Sequence, residues 1–105
     1  MLSIEPRHKQ MLLTILANYP YTFYAFGSRA NATNTPFSDL DLCYLETIPD
    51  PIRYQIEEEL DQSNLPFIVD LVSWQTASDW FKESIKNDLT DLVTEKKVYS
   101  KPAIP

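Results

Sequence analysis

Asp39-Leu40-Asp41 sets two carboxylates two residues apart. On a strand, residues at that spacing project from one face. Like charges so close repel, and one tends to protonate unless a cation sits between them. A divalent ion resolves the conflict, and hard oxygen ligands favour magnesium, with manganese as the alternative. Asp70 interrupts the apolar run Phe67-Ile68-Val69-Asp70-Leu71-Val72. A charge inside such a strand is costly unless it is paired or metal-bound. If the two strands are neighbours, three carboxylates converge. That is an arrangement for two metal ions in phosphoryl or nucleotidyl transfer, one activating the attacking oxygen and one carrying the triphosphate. Gly27-Ser28 follows an apolar run and can open a helix. Glycine lets the backbone approach a phosphate, amides at a helix start favour an anion, and the Ser28 hydroxyl adds a hydrogen bond. Arg29 could clamp a phosphate or a partner's carboxylate.

Each feature has an ordinary alternative. Gly-Ser is common turn chemistry, Asp39 could cap a turn while Asp41 faces water, and Asp70 could pair with Arg29 or Arg53. Arg29 alone reads more simply as a surface cation. Their joint occurrence at the ends of three successive strands is what favours one site.

The elements that must position these residues follow from periodicity. Ser3 can cap a helix running through Pro6 to about Ala17, with Ile4, Met11, Leu12 and Ile15 on one face. Tyr21 to Phe26 reads as a central strand, apolar on both faces. Ser28 to Ala32 can form a turn of helix, and Asn31 to Ser38 is loop. Asp39 to Leu45 is a strand with Leu40, Leu42 and Tyr44 on one face and Asp39, Asp41 and Cys43 on the other. Asp50-Pro51 starts a helix to about Gln62, and Phe67 to Val72 is a third strand. A longer amphipathic helix is expected from about Thr76 to Val93, with Ala77, Phe81, Ile85, Leu89 and Leu92 along its face and a possible break near Asn87-Asp88. Lys97 to Tyr99 is expected as a short edge strand. The fold class is α/β (α+β): a small mixed sheet with helices packed on it, one domain over residues 1–100 and a loose tail over 101–105.

Composition narrows the function. The chain has 105 residues, is 44% hydrophobic and carries 15 acids against 9 bases, a net charge of -6. One core is what such a length can bury. The acidic balance argues against direct nucleic-acid binding, which needs clustered Lys and Arg. An acidic chain can still take a nucleotide if metal ions stand between carboxylate and phosphate. Cys43 is the single cysteine, so no internal disulfide forms and a small buried side chain is its expected role. His8 is the single histidine, which rules out a multi-histidine metal site; it falls on the apolar side of the first helix and is expected to pack. Residues 1–10 lack the apolar segment of a signal peptide, and no apolar run reaches membrane-spanning length. The expectation is a soluble, cytoplasmic protein with no membrane partner.

At this point the residues resemble the minimal nucleotidyltransferase (MNT) domains of the DNA polymerase beta superfamily. Their signature is Gly-Ser, about ten residues, then Asp-x-Asp. Here Gly27-Ser28 is followed by ten residues and then Asp39-Leu40-Asp41, with Ser38 where the family usually has a serine. Asp70 matches the third carboxylate, and the resemblance covers nearly the whole chain. The family often reads Gly-Ser-Arg-Ala-Arg-Gly; here Asn31 and Ala32 replace the second basic residue and the second glycine. The resemblance implies that Asp39 and Asp41 hold the metals, that Asp70 completes the site and helps activate the acceptor hydroxyl, and that Gly27, Ser28 and Arg29 bind the nucleotide. It implies two Mg2+ ions (Mn2+ in their place) and ATP as substrate. It further implies an antitoxin paired with a HEPN-type toxin, in a homo- or hetero-oligomer, acting by transfer of AMP to a tyrosine of that toxin.

Two rival functions fit the same residues. One is a binding module that neutralises its partner by covering it, favoured by Asn31 and Ala32. The other is an enzyme modifying a small molecule, as aminoglycoside nucleotidyltransferases do, although those usually carry an extra helical domain for the acceptor.

Overall fold

In the computed structural model, residues 2–98 are described. The chain runs α1 (Pro6–Leu16), β1 (Phe23–Phe26), α2 (Ser28–Asn31), β2 (Leu40–Tyr44), α3 (Asp50–Asp61), β3 (Val69–Ser73), α4 (Asp79–Ile85) and β4 (Thr90–Asp91). The strands form one sheet in the order β3-β2-β1-β4. β1 lies antiparallel to β2 and to β4, while β2 and β3 are parallel. This is the mixed sheet with packed helices that the periodicity predicts.

Strand alternation divides the core into two layers. Phe23 and Ala25 of β1 and Leu40, Leu42 and Tyr44 of β2 pack with Leu12 and Leu16 of α1 and Ile56 and Leu60 of α3. Phe26 and Cys43 face the other way, towards Trp74, Ile85 and Leu89. Fully buried aliphatic side chains such as Leu12, Leu42 and Ile56 contribute about 1.5–3 kcal/mol each. Cys43 is wholly buried, and burial pushes its thiol up to about 12, as suits the packing role expected of it. His8 stacks edge-on against Phe67, with ring centroids 5.9 Å apart. No helix among the described residues is long and apolar enough to cross a membrane.

Three sequence expectations change. The first helix begins at Pro6 after Glu5, and Ser3 does not cap it; the Ser3 N–H instead reaches the Arg29 carbonyl at 2.8 Å. The predicted Thr76–Val93 helix is only the seven-residue α4, capped by Ser78, whose side chain accepts from the Phe81 N–H. Beyond it the chain turns and enters the sheet as β4, pairing Thr90 with Ala25 and Asp91 with Tyr24. Leu89 and Leu92 fit a helical stripe by spacing, yet they belong to opposite layers of the core. The third change is that the edge strand expected at Lys97 reduces to a single bridge with Thr90; Tyr99 and the tail at 101–105 lie outside the described residues.

Candidate active site

Register brings the carboxylates together. Asp41 pairs with Asp70 across the parallel β2–β3 ladder and with Phe26 across the antiparallel one. Side chains at paired positions share a face, so Asp41 and Asp70 stand side by side, on the face that carries Cys43. Asp39 precedes β2 by one residue rather than belonging to it. Its neighbour Leu40 donates its N–H to the Ile68 carbonyl at 2.8 Å, which ties the two strand entrances together and leaves Asp39 next to β3.

The electrostatics register this crowding. Burial first, then the charges of Asp70 and Asp39, raise the pKa of Asp41 above the ordinary carboxylate value. Asp70 is raised as well, by desolvation, by the charge of Asp39 and by a hydrogen bond with it. Among the described residues no three acidic, histidine or cysteine side chains stand arranged to hold a metal ion as they are placed here. The fit to a divalent cation is one of donor chemistry: three hard oxygen donors, Asp41 and Asp70 on paired strands and Asp39 just before β2, with Asp41 and Asp70 both disfavoured as anions by burial first and by the charge of Asp39.

Gly27 joins β1 to α2 at φ 79°, ψ -155°, a region open essentially to glycine alone. A Cβ there would meet Asp41 Oδ2 at 2.6 Å. The Asp41 carboxylate thus rests directly against the bare backbone of Gly27, and Ser28 begins the helix beside it. Gly27 is the only glycine in the chain, a compositional signal that marks the position independently of any motif. At the other end of α2, Ala32 is left-handed (φ 57°, ψ 33°). The backbone there keeps the conformation that a glycine favours, although the residue is alanine.

Arg29 is placed differently from the phosphate clamp expected of it. It is 5% exposed, and its guanidinium donates to the carbonyls of Ser38, Ser3 and Pro36 and lies 4.2 Å from the centroid of the Phe67 ring. Burial lowers its pKa, with the charge of Asp39 working in the opposite sense. The sequence gives no hint of these partners, because main-chain carbonyls can belong to any residue type.

Two clefts border the site. One of about 730 Å³ opens beside Arg29, between His8, Phe37 and Phe67, and none of the three carboxylates lines it. A smaller groove of about 400 Å³ holds Asp70 together with Ile68 and Leu71, against Glu57, Glu58 and Asp61 of α3. The chemistry follows the carboxylates rather than the larger cleft.

The family model described as "Polymerase beta, Nucleotidyltransferase" matches residues 10–98. The chain belongs to this family. This nucleotidyltransferase is 33% identical over 105 residues to the "Probable protein adenylyltransferase MntA" of Haemophilus influenzae, covering 96% of this chain and 92% of that relative. A chain in the "Crystal structure of the toxin-antitoxin with AMP-PNP" is similar with a TM-score of 0.65 and 25% identity, over 80% of this chain and 71% of that one. A chain of the tri-AMPylated Shewanella oneidensis HEPN toxin in complex with MNT antitoxin has the same fold, with a TM-score of 0.61 at 23% identity over 85% of this chain and 71% of that one.

Proposed function

We propose that the chain is an antitoxin that transfers AMP from ATP to a tyrosine hydroxyl of a HEPN-type toxin. The observation that carries this reading is the register of Asp41 with Asp70, with Asp39 at the strand entrance and bare backbone at Gly27 beneath the Asp41 carboxylate. The relative called a probable protein adenylyltransferase and the toxin-antitoxin neighbour with AMP-PNP support the nucleotide and the partner.

The triphosphate lies against the backbone of Gly27 and Ser28, where the first N–H groups of α2 have no acceptor within the helix. Asp39, Asp41 and Asp70 would hold divalent cations, magnesium by preference, which when bound offset the negative charge of the α-phosphate and of the departing pyrophosphate. Asp70 stands exposed at the sheet edge and takes the proton of the incoming hydroxyl. The hydroxyl oxygen then forms a bond to the α-phosphorus as the bond to the β-phosphate oxygen breaks. The products are an AMP-modified tyrosine, pyrophosphate and the proton held on Asp70.

The test is co-expression with a HEPN-type toxin, followed by intact-mass measurement of the toxin. Wild type should add AMP, and Asp41→Ala should add none while still co-purifying with the toxin. Full protection of growth with no mass change in either case would sink the enzymatic reading and favour masking.

A further inference from the structure

Arg29 touches none of the atoms that react, yet it meets each segment from which the site is built. Its Nε and one terminal nitrogen both donate to the Ser38 carbonyl, at 3.0 and 2.9 Å. That carbonyl belongs to the peptide leading into Asp39. On the far side of Asp39, the Leu40 N–H is held by the Ile68 carbonyl at 2.8 Å. Asp39 is thus suspended between two main-chain anchors, one residue before it and one after. The same guanidinium reaches Pro36 at 3.2 Å and Ser3 at 2.8 Å and lies over Phe67, which leads into the strand of Asp70. Arg29 itself is the second residue of α2, directly after Ser28.

We infer that Arg29 is a positioning residue that fixes Asp39 relative to the Gly27-Ser28 backbone, so that carboxylate and phosphate-facing amides keep one separation. The physical reason is rigidity. Asp39 lies outside the β2 ladder in an exposed stretch of loop, where the sheet alone does not hold it. A planar guanidinium with donors in a fixed fork can bind several carbonyls at once, which a lysine ammonium on a flexible stem cannot reproduce. Burial excludes water that would compete for those carbonyls. The inference rests on the nucleotidyl-transfer reading, and its experiment separates the two.

The probe is AMP-PNP, titrated calorimetrically without and with magnesium, beside the rate of AMP transfer per folded molecule. In Arg29→Lys, metal-free affinity should stay within about twofold of wild type, because Gly27 and Ser28 remain. The gain in affinity on adding magnesium should fall about tenfold, and transfer at saturating ATP should fall at least as much. Should Arg29→Lys fold poorly, Arg29→Ala with added guanidinium serves instead, since the cleft lined by Arg29 is open to a small cation; partial recovery of the magnesium gain is expected. A general loss of stability would lower the active fraction without altering this split. A wild-type magnesium gain and transfer rate in Arg29→Lys overturns the inference. A magnesium gain in wild type with no transfer to the toxin overturns the proposed reaction but leaves the positioning role standing. No magnesium gain in wild type overturns both.

Discussion

Replacing one oxygen of Asp41 by nitrogen would separate two properties that the side chain combines. As a carboxylate it can share in holding a cation; as a half-buried charge beside Asp70 and Asp39 it strains the fold. Its folded pKa is raised, so the ionised form is disfavoured in the folded state, and the penalty is present at every pH above the folded pKa. It is relieved as pH falls through that value and the carboxyl protonates. Asp41→Asn should therefore melt higher than wild type at pH 7, by on the order of 0.5 kcal/mol or about 2–4 °C, while transferring no AMP. Melts from pH 8 down to pH 4 should show the difference shrinking towards the acid end. A constant difference would mean that the charge of Asp41, disfavoured first by burial and then by Asp70 and Asp39, is not its source. The spacing of Asp39 and Asp41 pointed to two neighbouring carboxylates, but strand geometry fixes only Asp41, since Asp39 lies one residue before β2. The contact between Asp41 and Gly27 was not legible, since no periodicity in the sequence announces a close approach between the end of one strand and the start of the next.

The helix α2 is four residues long, too short to persist by hydrogen bonding alone. It is held by its ends: Gly27 enters it in a conformation closed to other residues, and Ala32 leaves it left-handed. Ala32→Gly should relieve the Cβ strain, with some of the gain returned as chain entropy, for a net stabilisation of about 0.5–1 kcal/mol. Urea unfolding should then show a higher midpoint at unchanged slope; a lower midpoint would mean that the alanine methyl makes compensating contacts. The elements flanking α2 were recovered from hydrophobic pattern within a few residues, as at β2 and α3, where the apolar period is long and clean. The C-terminal helix misled for a definite reason. Phe81, Ile85, Leu89 and Leu92 keep helical spacing, but the last two are divided between the layers of a sheet that the chain has by then rejoined. Pairing between β4 and β1 joins residues some 65 positions apart, and local pattern carries no record of it.

At the scale of the molecule, the beginning and end of the described chain are fastened together. Glu95 accepts from the Leu2 N–H at 2.9 Å and from the Lys9 ammonium. Lys9 is the main cause of its lowered pKa, followed by the Leu2 amide. For a carboxyl depressed in this way, the stabilisation is full above its unfolded pKa and is lost as pH falls through the folded one. Glu95→Gln should cost about 1 kcal/mol near neutrality, and wild type should lose that advantage on acidification; thermal melts at pH 7 and pH 3 compare the two. The family match bears out the nucleotidyl chemistry read from the sequence. The arrangement of charges was hidden, because Glu95 and Lys9 are far apart in sequence and pair only through the fold.

β3 is an outer strand of the sheet, and Asp70 stands exposed in it with the exposed Ile68 two residues before. An outer strand with free main-chain groups and apolar neighbours can template the addition of a strand from another molecule, the first step of self-association, and a charge in mid-strand opposes it. The carboxylate proposed to take a proton during transfer therefore also sets a negative charge on the open edge strand, where it opposes pairing with a second copy.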